Sequence, residues 1–518
     1  MNRIITLMIV LLTAISSKAD SDPKLAPPVT KLTINSTTCQ KITGFGGACC
    51  DGAMKPFGTD NAPIGKLYGK KSKIGLNILR MEISPSFTGD NWGDYDWNGS
   101  LPSAYTVKKR GGIVFGTPWS PPGEYKTNGS AQGGNSDDQG NIRATLRRDC
   151  YEKFFPWLNT FLAWMKAHEV DVDAVSLQNE PDWWVSYSGC LYEPDSLVSL
   201  VKNYAYLLDR ETYSGVKLIS GEPLGFTRNY TDPLMQDPTC REQIDIVAGH
   251  LYGHAPLVYM KEAAILPTQY GKEVWMTEHS STDNIGARLP TWHENLLFAE
   301  ELNECMLAGC TGYIYWYLRA HWAFCGTGEP VEDHDGVKKN VPGNDKDVLL
   351  PRAFVMSHFS KYVTGSTRLT TDRDLTSGSE ADKEYSAYIK GDSLIVMAID
   401  TTASTNPNLK LVLPYNVKSG THVLSTGNET NQLCQVSDIA IENPTNVVTV
   451  NKPARSLNTY IFIIDRVDTA IQDLNVNDDD DDDDGNKTYY DLQGRKLDNP
   501  RGLCIERRAN GKSRKVIM

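Results

Sequence analysis

The sequence predicts an α/β protein: a (β/α)8 barrel of the TIM type with an attached side β-sandwich domain. Three observations predict it. From about residue 40 to 350, short apolar strand-like runs alternate with longer amphipathic stretches, the pattern of parallel strands joined by crossover helices. Near Pro351 this gives way to alternating strands separated by Gly, Asn and Ser turns, which read as a sandwich of about 100 residues. At 518 residues the chain is also too long for one small core, so a large barrel plus a second domain is the natural division.

Residues 1–19 read as a secretory signal peptide. Met1-Asn2-Arg3 carries the positive start, Ile4 to Ile15 the apolar core and Ala19 the small residue before the cut. That apolar run is too short to span a bilayer comfortably, and no second long apolar stretch follows, so no transmembrane segment is expected. The mature chain is therefore expected to be secreted, or held at the cell surface or in the periplasm. Residues 20–38 form a Pro-, Ser-, Thr- and Lys-rich leader.

The barrel is expected over 39–352. Its strands include Leu76 to Met81, Gly112 to Gly116, Val216 to Ser220, Ile244 to Ala248 and Val274 to Met276. Between them Tyr151 to His168 has apolar residues at helical spacing (Phe154, Trp157, Leu158, Phe161, Leu162, Met165), and Asn295 to Leu307 repeats the pattern. The side sandwich is expected over 353–466, with a contribution from an N-terminal strand. Arg352 to Tyr362 reads as one more helix, and strands follow at Tyr385 to Ile389, Ser393 to Ile399, Lys410 to Leu413, Val447 to Val450 and Thr459 to Ile464.

Residues 467–487 form an acidic linker containing seven consecutive aspartates, Asp478 to Asp484. Like charges repel and the stretch buries nothing, so it stays solvated. Asp480, Asp482, Asp484, Gly485 and Asp491 partly fit a calcium loop, but Asp stands where the bidentate Glu belongs and no clear helix precedes it. The basic tail, 488–518, predicts a few strands and resembles the short C-terminal modules of some exported Gram-negative bacterial proteins, where they act in sorting.

Composition narrows the function. Hydrophobic content of 40% and charged content of 22% describe an ordinary globular protein. A net charge of −12 argues against a nucleic-acid partner, because phosphate binding needs a basic surface. Eleven cysteines is an odd number, so at least one is unpaired within a monomer, and no pair makes a metal knuckle. Several are expected as buried free thiols.

The chemistry is carried by two glutamates. Glu180 lies in Val175-Ser176-Leu177-Gln178-Asn179-Glu180-Pro181-Asp182-Trp183-Trp184, and Glu278 in Glu273-Val274-Trp275-Met276-Thr277-Glu278-His279. Each follows a strand-like run, where a parallel barrel places its catalytic groups. About 100 residues separate them, room for about three βα units, so both are expected at one mouth. Two carboxylates flanking a bond to a sugar carbon are what glycoside hydrolysis needs. Asn179 sits beside the first acid, able to donate to a sugar hydroxyl. Tyr252 ends the strand before Glu278, placed to hydrogen-bond that carboxylate. Taken singly, either glutamate reads equally as a strand-end acid facing solvent.

These motifs, in order, resemble glycoside hydrolase family 30, closest to its bacterial (glucurono)xylanase-like subfamily. The matching pieces are Thr43 to Gly47, Ile78-Leu79-Arg80, Thr117 to Pro122, Ser176 to Asp182, His250 to Gly253, Trp275 to His279, Tyr315 to Arg319 and Pro453 to Ser456. The resemblance implies a barrel with a side sandwich and a retaining mechanism, with Glu180 at the acid/base position and Glu278 at the nucleophile position. It implies an endo-β-1,4-xylanase acting on a polysaccharide, xylan. This chemistry needs no metal or organic cofactor, and a monomer is expected. The alternatives are a β-glucosidase or β-1,6-glucanase of the same family, or a non-catalytic carbohydrate-binding protein on a decayed barrel.

One departure bears on the substrate. Typical glucuronoxylanases of this subfamily carry two arginines and a later tyrosine after the Trp-Tyr of strand eight, and the second arginine binds the carboxylate of a glucuronate branch. Here the run is Trp316-Tyr317-Leu318-Arg319-Ala320-His321-Trp322. Ala320 replaces that arginine and Trp322 the tyrosine, so a branch carboxylate loses a charge-assisted partner. Arg319 is the remaining candidate for substrate contact. Trp119 and Trp316 are the expected sugar-stacking aromatics, with Tyr317 beside them. Trp92 and Trp97, in a Gly- and Asp-rich loop, are expected at the rim of the cleft.

Overall fold

The computed structural model describes residues 30–49, 62–85, 97–133, 144–253, 256–280, 285–373, 382–402 and 408–466, and four stretches of the tail, 487–490, 495–498, 503–508 and 513–517. The expected signal peptide, the aspartate run with its partial calcium loop, and Trp92 lie outside the described residues.

The first strand, β1 (Thr30–Lys41), belongs to the side domain. The next eight close a barrel: β2 (Gly44–Ala48), β3 (Ile78–Ile83), β4 (Ile113–Pro118), β5 (Ala174–Ser176), β6 (Lys217–Ile219), β7 (Ile246–His250), β8 (Glu273–Glu278) and β9 (Gly312–Tyr315). All pair in parallel, and β9 returns to β2 with Phe45 opposite Tyr313. Both faces of these strands are covered, which is why they read as apolar runs rather than alternating ones. Phe115, Ile219, Ile246, Trp275 and Ile314 pack together inside the barrel. Trp275 stands edge-on to Phe115 at 5.5 Å, so it is a core residue.

Helices α1 (Ala62–Leu67), α2 (Trp97–Lys109), α3 (Tyr151–Ala167), α4 (Pro194–Tyr204), α5 (Arg228–Gln236), α6 (Pro238–Gln243), α7 (Pro256–Ala263), α8 (Ile265–Gln269) and α9 (Trp292–Leu307) lie along the connections between strands. The apolar stripe read from the sequence of α3 is buried in full, from Phe154 to Met165. Thr291 and Glu294 form a capping box at the start of α9. Trp97 opens α2 and is buried against Phe161 and Trp164, with its indole N–H bonded to the Ser84 carbonyl at 3.0 Å. It is a core residue and not part of a cleft rim; a polar local context concealed an apolar tertiary one.

After a small hairpin, β10 (Val331–Glu332) with β11 (Lys338–Lys339), and helix α10 (Pro351–Ser360), the chain builds an antiparallel sheet. Its strands are β12 (Thr367–Arg373), β13 (Tyr385–Lys390), β14 (Ser393–Asp400), β15 (Asn408–Ser425), β16 (Gln435–Ile439), β17 (Thr445–Asn451) and β18 (Ser456–Ile464). The order is β1-β12-β13-β14-β18-β15-β16, with β17 also on β15, and β1 pairs in parallel with β15. One face makes its own core from Leu32, Ile34, Leu411, Tyr460 and Phe462. Tyr388, Ile395, Met397 and Leu457 instead join the core that surrounds the barrel. His358 of α10 ties the two together, one ring nitrogen on Thr459 and the other on Ser425, each at 2.8 Å.

In the tail, β19 (Lys487–Tyr490), β20 (Lys496–Leu497), β21 (Leu503–Arg508) and β22 (Ser513–Ile517) form a separate sheet. Among the described residues ten cysteines are free, and all but Cys39 and Cys434 are buried. No helix among them is long and apolar enough to cross a membrane.

Two glycines of β2 set how tightly the barrel closes. A Cβ on Gly46 would fall 1.8 Å from the Ile78 carbonyl oxygen, and one on Gly47 would fall 2.3 Å from the Leu318 side chain. The first clash is with backbone and has no rotamer escape. Gly46→Ala is therefore expected to cost about 1–3 kcal/mol, read as a lowered Tm; an unchanged Tm would refute the close approach.

Candidate active site

The functional side chains stand at the carboxyl ends of β3 to β9, the end of a parallel barrel that carries chemistry. Arg80 on β3 is completely buried and organises them. Its Nη1 donates to Glu278 Oε2, its Nη2 lies 2.7 Å from Asn179 Oδ1 and 3.1 Å from Glu222 Oε2, and its Nε reaches Thr117 Oγ1 at 3.4 Å. Arg80 lies in strand-period register with inward-facing Ile78, which is why a cation sits at the centre of an apolar barrel.

Glu180 follows β5 on a backbone with φ of 44°, a left-handed conformation that glutamate adopts at a cost. It is held there from both sides: its N–H donates to the Glu222 carbonyl at 2.8 Å, and its carbonyl accepts from Trp183 at 3.0 Å. Glu278 ends β8. Val274 and Met276 face the surrounding core, so strict alternation would send Glu278 the same way. A register shift between Gly249 and His250 sets His250 opposite Glu278, and the carboxylate turns to the mouth instead. Tyr252 donates its hydroxyl to Glu278 Oε1 at 3.2 Å, as its position predicted.

The two glutamates do meet. Carboxylate oxygens of Glu180 and Glu278 and a ring nitrogen of His250 all lie within 4.8 Å of one another. His250 Nδ1 is 3.0 Å from Glu180 Oε1, and its Nε2 faces Glu222 Oε2 at 3.6 Å. Burial alone would lower the His250 pKa, but the charge of Glu278 and the contacts with Glu180 and Glu222 outweigh it and hold it up at about 9. For Glu222 burial pushes upward, and Arg80 and His250 overcome it, so its carboxyl is held down at about 2. Burial pushes Glu278 up; His250 and Arg80 pull it back, and the Glu180 carboxylate adds to the rise. Glu180, His250 and Glu278 have the spacing of a metal-binding triad. Both His250 ring nitrogens already face carboxylates and Glu278 holds Arg80, so in this structure the cluster is a hydrogen-bonded charge network.

Aromatic rings wall one side. Trp119 and Trp316 lie 5.9 Å apart, Trp316 and Tyr317 4.8 Å, and Tyr317 and Trp322 5.1 Å. The Arg80 guanidinium sits 4.7 Å from the Trp119 ring centre. Trp119 and Trp316 are thus brought together over Arg80, which itself holds Glu278. Arg319 has a different partner: its Nη2 is 3.3 Å from Asp347 Oδ1. Ala320 is buried.

Sequence reasoning did not single out Glu222, and it met Arg80 and His250 only inside motifs. A signal for Glu222 was present: Gly221-Glu222-Pro223 follows β6 much as Asn179-Glu180-Pro181 follows β5.

No protein-family model matches the chain. Its sequence is 26% identical over 401 residues to glucuronoxylanase XynC of Bacillus subtilis, covering 76% of this chain and 82% of that protein. Among solved structures, the glycoside hydrolase family 30 subfamily 8 xylanase Xyn30A of Clostridium acetobutylicum superposes with a TM-score of 0.65 at 26% identity, covering 84% of this chain and 99% of that one. The chain is a glycoside hydrolase similar to the family 30 xylanases. The GH30 endoxylanase of Clostridium papyrosolvens C71 shares the fold, with a TM-score of 0.65 at 24% identity over 84% of this chain.

The shifts in this hydrolase set two pH windows. Glu222, lowered from 4.5 to about 2, adds stability that is complete above 4.5 and is lost as pH falls towards 2. His250, raised from 6.5 to about 9, adds stability that is complete below 6.5 and is lost as pH rises through 9. Glu222→Gln is expected to remove the acid-side increment and to move the alkaline loss to lower pH, since His250 loses a partner. Thermal melts across the pH range check this, and a profile parallel to that of the wild type would contradict it.

Proposed function

We propose that the chain is an exported, retaining endo-β-1,4-xylanase that cleaves xylan by double displacement and does not strictly depend on glucuronate branches. The observation that carries the reaction is that one carboxylate oxygen of Glu180 and one of Glu278 lie within 4.8 Å of each other at one mouth. Retaining enzymes hold their carboxyls about 5–5.5 Å apart, whereas inverting ones leave about 6.5–9.5 Å for a water.

Glu278 attacks the anomeric carbon as Glu180 gives its proton to the departing glycosidic oxygen, and the bond between them breaks. The result is a glycosyl ester on Glu278. Glu180, now a carboxylate, takes a proton from water, whose oxygen attacks the same carbon and frees Glu278. Two inversions give net retention. Arg80 donates to Glu278, whereas His250 lies 3.0 Å from Glu180, so the two carboxyls have different partners, in keeping with different roles. His250 Nδ1 occupies Glu180 Oε1, leaving Oε2 for the substrate. Trp183, three residues after Glu180, is 52% exposed.

The residues after β9 support branch independence. Arg319 is engaged by Asp347, Ala320 is buried, and burial lowers the His321 pKa. Trp322 packs between Tyr315 and Tyr317. The run offers an aromatic surface in place of a guanidinium. Export rests on the character of residues 1–19.

Glu278→Gln is expected to lower xylan hydrolysis by at least about 10⁴-fold while sparing binding. Glu180→Ala should retain activity on aryl xylosides with good leaving groups and be rescued by azide as a β-glycosyl azide. An α-configured first product from the wild type would overturn retention. Linear, arabinose-branched and glucuronate-branched xylans should be cut at rates within about tenfold of one another; a strict requirement for glucuronate would refute the branch reading.

A further inference from the structure

Two cavities lie side by side on the flank of the barrel, formed by residues that take no part in the charge network. One has a volume of about 570 Å³ and the other about 340 Å³, both in the range of small-molecule sites. They adjoin, because Tyr151, which lines the smaller, stands edge-on to Tyr204, which lines the larger, at 6.1 Å. Four aromatic side chains from three parts of the chain line the larger one. Tyr125 ends the short turn Gly123–Tyr125, Trp157 lies on α3, and Tyr204 and Tyr206 lie where α4 gives way to the turn Ala205–Leu207.

Trp157 belongs to the core around the barrel, and Tyr125 and Tyr204 pack against it, but core packing does not account for Tyr206. Tyr206 is 71% exposed, and Tyr125 and Tyr204 are only partly covered. Glu152 and Lys153, on the solvent side of α3, add an acceptor and a donor to the same cleft. Flat rings interleaved with hydrogen-bonding groups match a neutral sugar chain, which has apolar ring faces and hydroxyl edges. A nucleotide or other polyanion would need a clustered positive charge instead. Tyr125 lies on the loop that leaves β4 through Trp119, so the cleft is joined along the chain to the catalytic mouth.

We infer that this flank cleft is a second, non-catalytic binding site for xylan, holding the polymer while another part of it enters the barrel mouth. The occupant rests on the xylanase reading above. Two sites on one rigid scaffold raise the local concentration of a polymer at the mouth and do nothing for a substrate too short to reach both.

The test compares Glu278→Gln with Glu278→Gln/Tyr206→Ala in gels containing soluble xylan. The double variant should be retarded less, with an apparent affinity about three- to tenfold weaker, while Tyr206→Phe in the same background keeps its retention. In active enzyme, Tyr206→Ala should slow hydrolysis of insoluble xylan and leave kcat/KM on short xylo-oligosaccharides unchanged. Equal retention of the two forms overturns the site, and so does an equal loss on short substrates. A wild type that hydrolyses no xylan but is retarded, through Tyr206, by another β-glycan keeps the cleft and overturns the xylanase reading.

Discussion

The Arg80 guanidinium is the constraint on which the rest of the site depends. Buried without contact to water, it must spend its charge on neighbours, and it divides it between Glu278, Glu222 and the Asn179 amide. Those partners come from the ends of three different strands, so the guanidinium fixes their relative height at the barrel mouth. Taking a cation into such an environment is costly unless every donor is used. The compensating carboxylates are therefore as much part of the fold as of the chemistry. His250 extends the arrangement by one step, linking Glu222 beneath to Glu180 at the surface of the cleft.

The strain at Glu180 belongs to the same scheme. A residue at φ of 44° persists only where its surroundings over-determine it, and here the Glu222 carbonyl receives its N–H. Glu222 thus contributes twice, once with its backbone to the acid and once with its side chain to the cations. The carboxylates and His250 share charge at such short range that protonating one alters the others. The pair at the mouth is better regarded as the visible part of a five-residue unit.

How much of this was legible in the sequence follows from range. The barrel, the side domain and the α3 stripe could be read because each rests on local periodicity. Glu180, Glu278, Asn179, Trp119 and Trp316 could be read because strand-end motifs carry them. Glu222 was passed over because its role is set by Arg80 and His250, both more than a strand away in sequence. Trp97 was misplaced because the polar loop before it hides Phe161 and Trp164, which bury it. Arg319 presented a candidate substrate contact, and only the tertiary structure pairs it with Asp347. The turn of Glu278 into the mouth is likewise invisible in a simple alternation, since it depends on a register shift between neighbouring strands.

The placement of β1 has a consequence for how the molecule is made. This strand precedes the barrel, yet its partners are β12 and β15, which follow it, with Leu32 opposite Arg373. During synthesis the first strand emerges long before either neighbour exists, and it carries an unsatisfied ladder edge while the whole barrel is assembled. The side domain cannot be completed, or removed, as a contiguous C-terminal piece. It closes around both ends of the catalytic unit like a clasp, and strands made only after the barrel, β12 and β15, are what shelter the first.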